Sequence, residues 1–163
     1  MPADGSSATP LPLAPGEHAD ARCGVVIIGH GHTATSLLAA ARCIVQDCLP
    51  DVIAIDAGTG QTPELVARVC EAIEQVDEGR GILLIADLMG SSPCMCGVQH
   101  SAGHGFALLT GLNLALLTKL AVMDLRVSPA ELAEACAESV RRSVCVKIQQ
   151  PRSANEDPNE SRD

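Results

Sequence analysis

Short apolar runs alternate with longer mixed stretches through the middle of the chain. Four runs are rich in Val, Ile, Leu and Ala and are bounded by Gly, Asp or Pro; they cover residues 24–29, 52–57, 81–88 and 106–112. Unbroken apolar runs of this length are typical of strands buried on both faces of a parallel sheet. The stretches between them are long enough for helices at 33–45, 63–76 and 93–104.

Capping residues mark where several helices begin. Thr62 and Ser92 each precede a proline, which places a hydroxyl at the N-cap and proline in the first turn. A further helix is predicted over 128–144, because it opens with Ser-Pro-Ala-Glu, the pattern of a capping box. The run Val-Cys-Val-Lys-Ile at 144–148 has the length of a short fifth strand.

This alternation of strands and helices predicts an α/β fold. Right-handed crossovers then give a doubly wound, mostly parallel open sheet of four to five strands with helices on both faces. Ligands of such sheets bind beyond the carboxyl ends of the strands, where the strand order reverses. Four segments of the chain occupy that position, at 29–34, 56–62, 87–93 and 111–113.

Length and composition indicate one globular domain with polar tails. The chain has 163 residues, 47% of them hydrophobic, which is enough to bury an ordinary core. Residues 1–22 are rich in Pro, Gly, Ser and Ala, and residues 149–163 are polar and charged, so both segments are predicted to be disordered. The domain predicted between them covers residues 23–148.

Charge and aromatic content exclude some partners. With a net charge of −9 and 1% aromatic residues, the chain is suited neither to a phosphate backbone nor to base stacking, so no nucleic acid is expected. No apolar run reaches the roughly eighteen residues of a membrane span, and no signal peptide is recognised. We therefore expect a cytoplasmic protein without membrane insertion, in which the eight cysteines are mostly free thiols.

Two of the strand-end segments carry residues suited to phosphoryl chemistry. His30 follows the first strand and Asp87 follows the third, so their side chains meet if these two strands are neighbours. A carboxylate bonded to one ring nitrogen fixes the tautomer and leaves the other nitrogen as a nucleophile. Free backbone N–H groups at a helix start favour an anion, and Ser91 and Ser92 add further donors. The set suits phosphorylation of a histidine.

Three motifs resemble those of a known family. The chain is similar to the mannose-type enzyme IIA domain of the bacterial phosphoenolpyruvate-dependent phosphotransferase system at IIGHGHTATSLL (27–38), LIADLMGSSP (84–93) and LLTGLNLALL (108–117). The resemblance implies that His30, followed by Gly31, takes a phosphoryl group from the phosphocarrier protein HPr and passes it to a IIB component. His32 does not fit that position and is interpreted as a neighbour. No cofactor is implied.

The resemblance also identifies supporting residues. The family pattern Asp-x-x-Gly-Gly-Ser-Pro falls on 87–93, where Asp87, Gly90 and Ser92 match and Ser91 replaces the second glycine. Asn113 matches an asparagine that lies near the active site in the family. Together with Gly31, these residues are expected to support the phosphate.

A homodimer is implied as well. In the family two copies exchange a final strand, which here would be 144–148. The family commonly has Phe-Asn after the loop proline, where this chain has Cys94 and Met95. The surface that meets partner proteins is therefore expected to differ from that of its relatives.

The residues also leave three other functions possible. A phosphohistidine protein of this type can act as a regulatory sensor in an incomplete phosphorelay without sugar transport. Cys94, Cys96, His100 and His104 make a Cys/His metal site a weaker alternative, behind buried thiols with solvated histidines. The glycine-rich segment 56–62 is a weak candidate for nucleotide binding, because it lacks the lysine of a phosphate-binding loop.

Overall fold

A computed structural model describes residues 20–46, 48–58 and 60–149 of the chain. The described residues form, in chain order, β1 (Gly24–Gly29), α1 (Thr33–Ile44), β2 (Ile53–Asp56), α2 (Pro63–Val76), β3 (Ile82–Ala86), α3 (Ser92–His100), β4 (Phe106–Thr110), α4 (Leu114–Leu120) and α5 (Pro129–Ser143). The predicted disordered tails, 1–22 and 149–163, lie outside these ranges except for 20–22 and 149, so their disorder stays a prediction.

The strands form one parallel sheet in the order β2-β1-β3-β4. β1 and β3 lie in the centre and are buried along their whole length, as their unbroken apolar sequences require. The predicted α/β fold is therefore confirmed, and the strand order reverses beside β1. Gly29 lies opposite Asp56, and Ile28 lies opposite Ala86, so the carboxyl ends of β2, β1 and β3 are level at one edge.

Hydroxyl side chains cap the N-termini of α2 and α5, the two helices with the clearest start signals in the sequence. Oγ1 of Thr62 accepts the backbone N–H of Leu65 at 3.2 Å, at the start of α2. At the start of α5, Ser128 and Glu131 form the predicted capping box, each side chain bonding the other residue's backbone N–H. Both predicted helix starts are confirmed to within one residue.

Helix α3 differs from its prediction at both ends. Oγ of Ser91 accepts the N–H of Cys94 at 3.3 Å, so Ser91 is the N-cap and Ser92 is already helical. The helix ends at His100 instead of 104, because the chain turns there: the N–H of His104 bonds the carbonyl oxygen of Ser101 at 2.9 Å.

Helix α4 was missed by the sequence interpretation, which extended the fourth strand to residue 112. The strand ends at Thr110, because Gly111 adopts a positive φ of 89° that turns the chain out of the sheet. Asn113 then caps the new helix, with its Oδ1 accepting the N–H of Leu116 at 2.9 Å. The N-cap asparagine was the available signal for a helix at this point.

The proposed fifth strand at 144–148 is not a strand in the single chain. This segment has no regular secondary structure and pairs with none of the described strands. Its apolar side chains Val144, Val146 and Ile148 are 76%, 83% and 84% exposed. The segment therefore follows α5 with its apolar side chains unburied, although β4 is an edge strand of the same sheet.

Helices cover both faces of the sheet, as predicted. One apolar core lies under α1, α4 and α5, and the second lies under α2 and α3. Gly97 permits the close packing of α3, because a Cβ there would lie 2.8 Å from Ile28 and Leu84 side-chain atoms. Within the described ranges, no helix combines the length and apolar content needed to cross a membrane.

At the end of the sheet opposite His30, near the amino end of β3, the Asp77 carboxylate connects several loop residues by hydrogen bonds. Oδ1 of Asp77 accepts backbone N–H groups of Gly79 at 2.9 Å and Gly81 at 3.0 Å, and Oδ2 lies 2.6 Å from Nδ1 of His104. Burial opposes ionisation, but the hydrogen bonds from His104 and the two amides outweigh it, so the pKa of Asp77 lies below its ordinary 3.8.

Replacing Gly81 by alanine should destabilise the fold. Gly81 has a φ of 90°, and a Cβ there would overlap the carbonyl oxygen of Gly105. We expect Gly81→Ala to lower the free energy of unfolding by about 2–4 kcal/mol in urea denaturation. Gly103→Ala is the matched control, because a Cβ at Gly103 would meet no neighbouring atom. Equal stabilities of the two variants would contradict the packing described.

Asp77 should make stability depend on pH. A carboxyl group whose pKa is lower in the folded than in the unfolded chain stabilises the fold above about pH 4, and this contribution is lost as pH falls through the folded pKa. We expect Asp77→Asn to lose about 1–2 kcal/mol at pH 7 and to differ less from wild type near pH 3. Urea unfolding across pH 3–7 measures this, with the exposed Asp51→Asn as control.

Candidate active site

Strand order gathers three functional segments at one edge of the sheet. β1 is paired with β2 on one side and β3 on the other, so His30, which follows β1, lies between the segments that follow both neighbours. The N–H of Ala57 bonds the carbonyl oxygen of Gly29 at 2.9 Å, and the N–H of Asp87 bonds that of Ile28 at 3.3 Å. These bonds extend the ladder to the point where the functional side chains begin.

His30 and Asp87 meet as the sequence predicted. Nδ1 of His30 lies 3.1 Å from both carboxylate oxygens of Asp87, and the His30 backbone N–H donates to Oδ2 at 2.7 Å. Because an ionised carboxylate only accepts hydrogen bonds, Nδ1 is the ring donor. The neutral imidazole therefore keeps its lone pair on Nε2, the nitrogen that a nucleophilic attack would use.

A tight turn joins His30 to the first helix. Gly31 has a φ of 53°, a conformation that residues with a Cβ rarely adopt. The carbonyl oxygen of His30 then accepts both the backbone N–H of Thr33 at 2.9 Å and its hydroxyl at 2.6 Å. Two amides of this helix start are thus engaged, because the Thr33 N–H bonds His30 and that of Thr35 bonds Asp56 at 3.1 Å, and anion binding by the others stays a prediction.

The loop after β3 carries the serines predicted to support phosphate. Gly90 turns this loop with a φ of 71°. Ser91 uses its hydroxyl oxygen to cap α3, whereas Ser92, the first residue of the helix, has an exposed side chain. Ser92 is therefore the hydroxyl that an incoming group can reach, and a role in phosphate binding stays a prediction for both serines.

The side chain of Asn113 makes its hydrogen bonds within the turn between β4 and α4. Its Oδ1 caps α4, and its Nδ2 donates to the carbonyl oxygen of Gly111 at 2.9 Å. Both ends of the amide are thus engaged in shaping the turn after β4. Its predicted contribution to phosphate binding is not visible in these contacts and stays a prediction.

A second histidine–carboxylate pair lies on the other side of β1, and the sequence interpretation missed it. Nδ1 of His32 lies 3.1 Å from Oδ2 of Asp56, the last residue of β2. The hydroxyl of Thr35 donates to the same oxygen at 2.6 Å. The available signal was the pair of facts that His32 follows β1 closely and that Asp56 ends a strand.

Hydrogen bonds organise the Asp56 carboxylate. Burial opposes its ionisation, but the hydroxyl and amide of Thr35 and the ring of His32 more than compensate, so the pKa of Asp56 is lowered below its ordinary 3.8. The Arg68 guanidinium donates to the Asp56 backbone carbonyl at 3.0 Å. Asp56, the first residue of segment 56–62, therefore has both its carboxylate and its carbonyl oxygen engaged in local hydrogen bonds, which weakens the nucleotide interpretation at this end of the segment.

The site is an open surface with apolar side chains beside it. Leu88 and Met89, directly after Asp87, are largely exposed, and so is Met95 on α3. We call these three residues the apolar rim. A cavity of about 270 Å³ lies at the opposite edge, where Arg22 and Asp51 form part of its wall, and it does not include His30.

The structure does not gather the residues of the metal alternative. Cys94 and Cys96 are fully buried, and burial raises the pKa of the Cys96 thiol. His104 is bonded to Asp77 at the far edge of the sheet. Across the part of the chain that the structure describes, no three His, Cys, Asp or Glu side chains form a group able to hold a metal ion.

Comparison with solved structures shows the same fold in two phosphotransferase system proteins and in a sigma-54 interaction domain protein. The mannose/sorbose-specific IIA subunit of the phosphotransferase system from Enterococcus faecalis aligns with a TM-score of 0.69 and 22% identity, over 81% of this chain and 98% of that one. Phosphotransferase system component EIIA from Streptococcus agalactiae gives 0.61 and 19%, over 76% and 96%. A sigma-54 interaction domain protein from Enterococcus faecalis gives 0.59 and 20%, over 75% and 93%.

A family model identifies the chain more directly. No curated protein matches it. The model described as the PTS system fructose IIA component, EIIA-man, matches residues 24–137, from the start of β1 into α5. This range contains all three motifs and both histidine–carboxylate pairs at the carboxyl ends of the strands. The chain belongs to this family, the mannose- and fructose-type IIA components of the phosphotransferase system.

Proposed function

We propose that the protein is a cytoplasmic phosphocarrier in which Nε2 of His30 accepts a phosphoryl group from phospho-HPr and passes it to a IIB component. The observation that carries this proposal is the bond between Nδ1 of His30 and the Asp87 carboxylate, at the carboxyl end of the central strand. It leaves the exposed ring with one nucleophilic nitrogen in a fixed orientation.

The proposed transfer is a displacement at phosphorus between two imidazoles. Nε2 of His30 forms a bond to phosphorus as the bond from phosphorus to the HPr ring nitrogen breaks. The HPr ring keeps that electron pair and takes up a proton from water. Nδ1 of His30 keeps its proton, so the positive charge that develops on the ring is balanced by Asp87.

Phosphoryl transfer depends mostly on positioning and on stabilising charge on the phosphoryl oxygens. The turn at Gly31 and the three hydrogen bonds between His30 and Asp87 fix the ring. Ser92, exposed at the start of α3, is the proposed hydroxyl donor to a phosphoryl oxygen. Transfer to a IIB component reverses the same steps with a new acceptor.

Protein partners are favoured by the surface around His30. A histidine on an open edge is accessible to another protein, and the apolar rim supplies side chains that such a partner can bury. Met95 stands where the family commonly has a polar residue, so this chain gives its partners a more apolar contact than usual. The rim is therefore the proposed docking surface for HPr and for the acceptor.

A homodimer is the second part of the proposal. β4 is an edge strand of the sheet, and the 144–148 segment, which pairs with none of the described strands, exposes three apolar side chains. An unpaired sheet edge and an unpaired segment with a strand-like sequence can pair with each other if two copies exchange the segment. The exchange would bury Val144, Val146 and Ile148, which nothing in one chain covers among the described residues.

A regulatory role is the alternative use of the same chemistry. One of the solved proteins that share this fold is described as a sigma-54 interaction domain protein. In a regulatory role, phosphorylation of His30 would change binding to a target protein instead of feeding sugar transport. The two roles share the His30 step and differ in the acceptor.

Phosphorylation by HPr should map to His30. Incubation with phosphoenolpyruvate, enzyme I and HPr should add one phosphoryl group that is labile in acid and stable in base, measured by intact mass and located by peptide fragmentation. His30→Ala should remove the HPr-dependent addition. Asp87→Asn should slow it by at least about tenfold, because the amide no longer fixes the ring or balances its charge.

His32→Ala is the matched control, since it removes the neighbouring imidazole and leaves Asp87 in place. It should still be labelled at His30 at close to the wild-type rate. HPr-dependent label in His30→Ala together with no label in His32→Ala would show that the assignment is wrong.

The oligomeric state should depend on the C-terminal segment. We expect the wild type to sediment as a dimer, and Val146→Asp combined with Ile148→Asp to shift it to the monomer, because charges would be buried in the exchanged strand. Val122→Asp is the control, since Val122 is 69% exposed and lies outside that segment. A wild-type monomer at micromolar concentration, or a double variant that stays dimeric, would contradict the exchange.

A further inference from the structure

The second histidine–carboxylate pair has the same construction as the first. In each pair a histidine that follows β1 has its Nδ1 3.1 Å from a carboxylate at the end of a neighbouring strand, Asp87 beyond β3 or Asp56 in β2. The two pairs lie on opposite sides of β1. The resemblance to the family assigns a role to His30 and none to His32.

Asp56 is held in place by more than the histidine. Thr35, in the first turn of α1, bonds both carboxylate oxygens, through its amide at 3.1 Å and its hydroxyl at 2.6 Å. The Asp56 side chain is only 18% exposed, whereas that of His32 is 89% exposed. A fixed, ionised carboxylate thus meets a ring whose remaining nitrogen is open to solvent.

This arrangement sets the tautomer of His32. The carboxylate accepts from Nδ1, so the neutral ring presents the lone pair of Nε2. It also balances the positive charge that a ring acquires when Nε2 forms a bond. These are the two contributions that Asp87 makes to His30. His30 differs in being 47% exposed, between two carboxyl-bearing loops, whereas His32 is more accessible and less enclosed.

We propose that His32, held by Asp56, is a second phosphoryl-acceptor site of this protein, reactive toward small-molecule donors that carry a phosphorus–nitrogen bond. The proposal goes beyond the proposed function and takes from it only the kind of group transferred. Nε2 of His32 forms a bond to phosphorus while the donor's phosphorus–nitrogen bond breaks. The leaving nitrogen keeps the electron pair. Nδ1 of His32 keeps its proton, which stays hydrogen-bonded to the Asp56 carboxylate.

A small donor tests this without any carrier protein. Phosphoramidate transfers its phosphoryl group and releases ammonia, so it needs neither HPr nor enzyme I. The full-length His30→Gln variant would be incubated with phosphoramidate, and phosphohistidine would be located by fragmentation and followed by ³¹P NMR. His100 is the internal reference, because within the described residues its ring has no hydrogen bond to a carboxylate.

We expect His32 to be phosphorylated at least about tenfold faster than His100. Adding Asp56→Asn should bring the His32 rate down to that of His100, and His32→Gln should remove the signal. Circular dichroism and urea unfolding check that the Asp56→Asn variant is folded. Thr35→Val removes one hydrogen bond to the Asp56 carboxylate and should slow the phosphorylation of His32 severalfold. Nitrogen-15 shifts of the His32 ring should show the proton on Nδ1 before reaction.

The contrary results are equally distinct. A His32 rate within twofold of His100, or a rate unchanged by both Asp56→Asn and Thr35→Val, would overturn the second site. Failure of phospho-HPr to label His30 in the wild type would overturn the proposed function instead, and the phosphoramidate measurement would still stand on its own.

Discussion

The pairing of β1 with strands on both sides is the constraint on which the rest of the structure depends. A central parallel strand brings the ends of β2 and β3 level with its own end, so two carboxylates flank the turn that follows it. Gly31 then reverses the chain within that turn and places one histidine on each side. The chemistry of the site follows from strand order, because neither carboxylate is close to its histidine in sequence.

The acidic character of the chain limits how a phosphoryl group could be stabilised beside these histidine–carboxylate pairs. A net charge of −9 does not attract phosphate from a distance, so any stabilisation of a phosphoryl group has to come from local donors. The carboxylates do not bind the phosphate themselves. They contact Nδ1 of each ring, and in the proposed transfer they would fix Nε2 as the nucleophile and balance the charge on the attacking imidazole, so an acidic edge is compatible with an anionic group.

Strands, helices and caps were largely readable from the sequence, and the exceptions have physical causes. The four strands were located to within two residues, since buried strands leave unbroken apolar runs. The hydroxyl caps of α2 and α5 were identified from their prolines and acids. Helix α4 was missed because its leucines continue the apolar run of β4, and the two are separated only by residues 111–113, with the turn at Gly111 and the N-cap at Asn113. The 144–148 run has a strand-like sequence but pairs with none of the strands that the structure describes.

The sequence by itself determined the fold class, the family motifs and the placing of His30 and Asp87 at strand ends, because these depend on local patterns of apolar, glycine and polar residues. Tertiary structure decided that β1 and β3 are neighbours, on which the predicted meeting of His30 and Asp87 depended, and that His32 meets Asp56. It selected Ser91 as a cap, left Ser92 exposed, used Asn113 to start α4 and joined His32 to Asp56 through a carboxylate that Thr35 holds. Contacts of this kind depend on strand order and register, which local patterns in one amino-acid sequence do not determine.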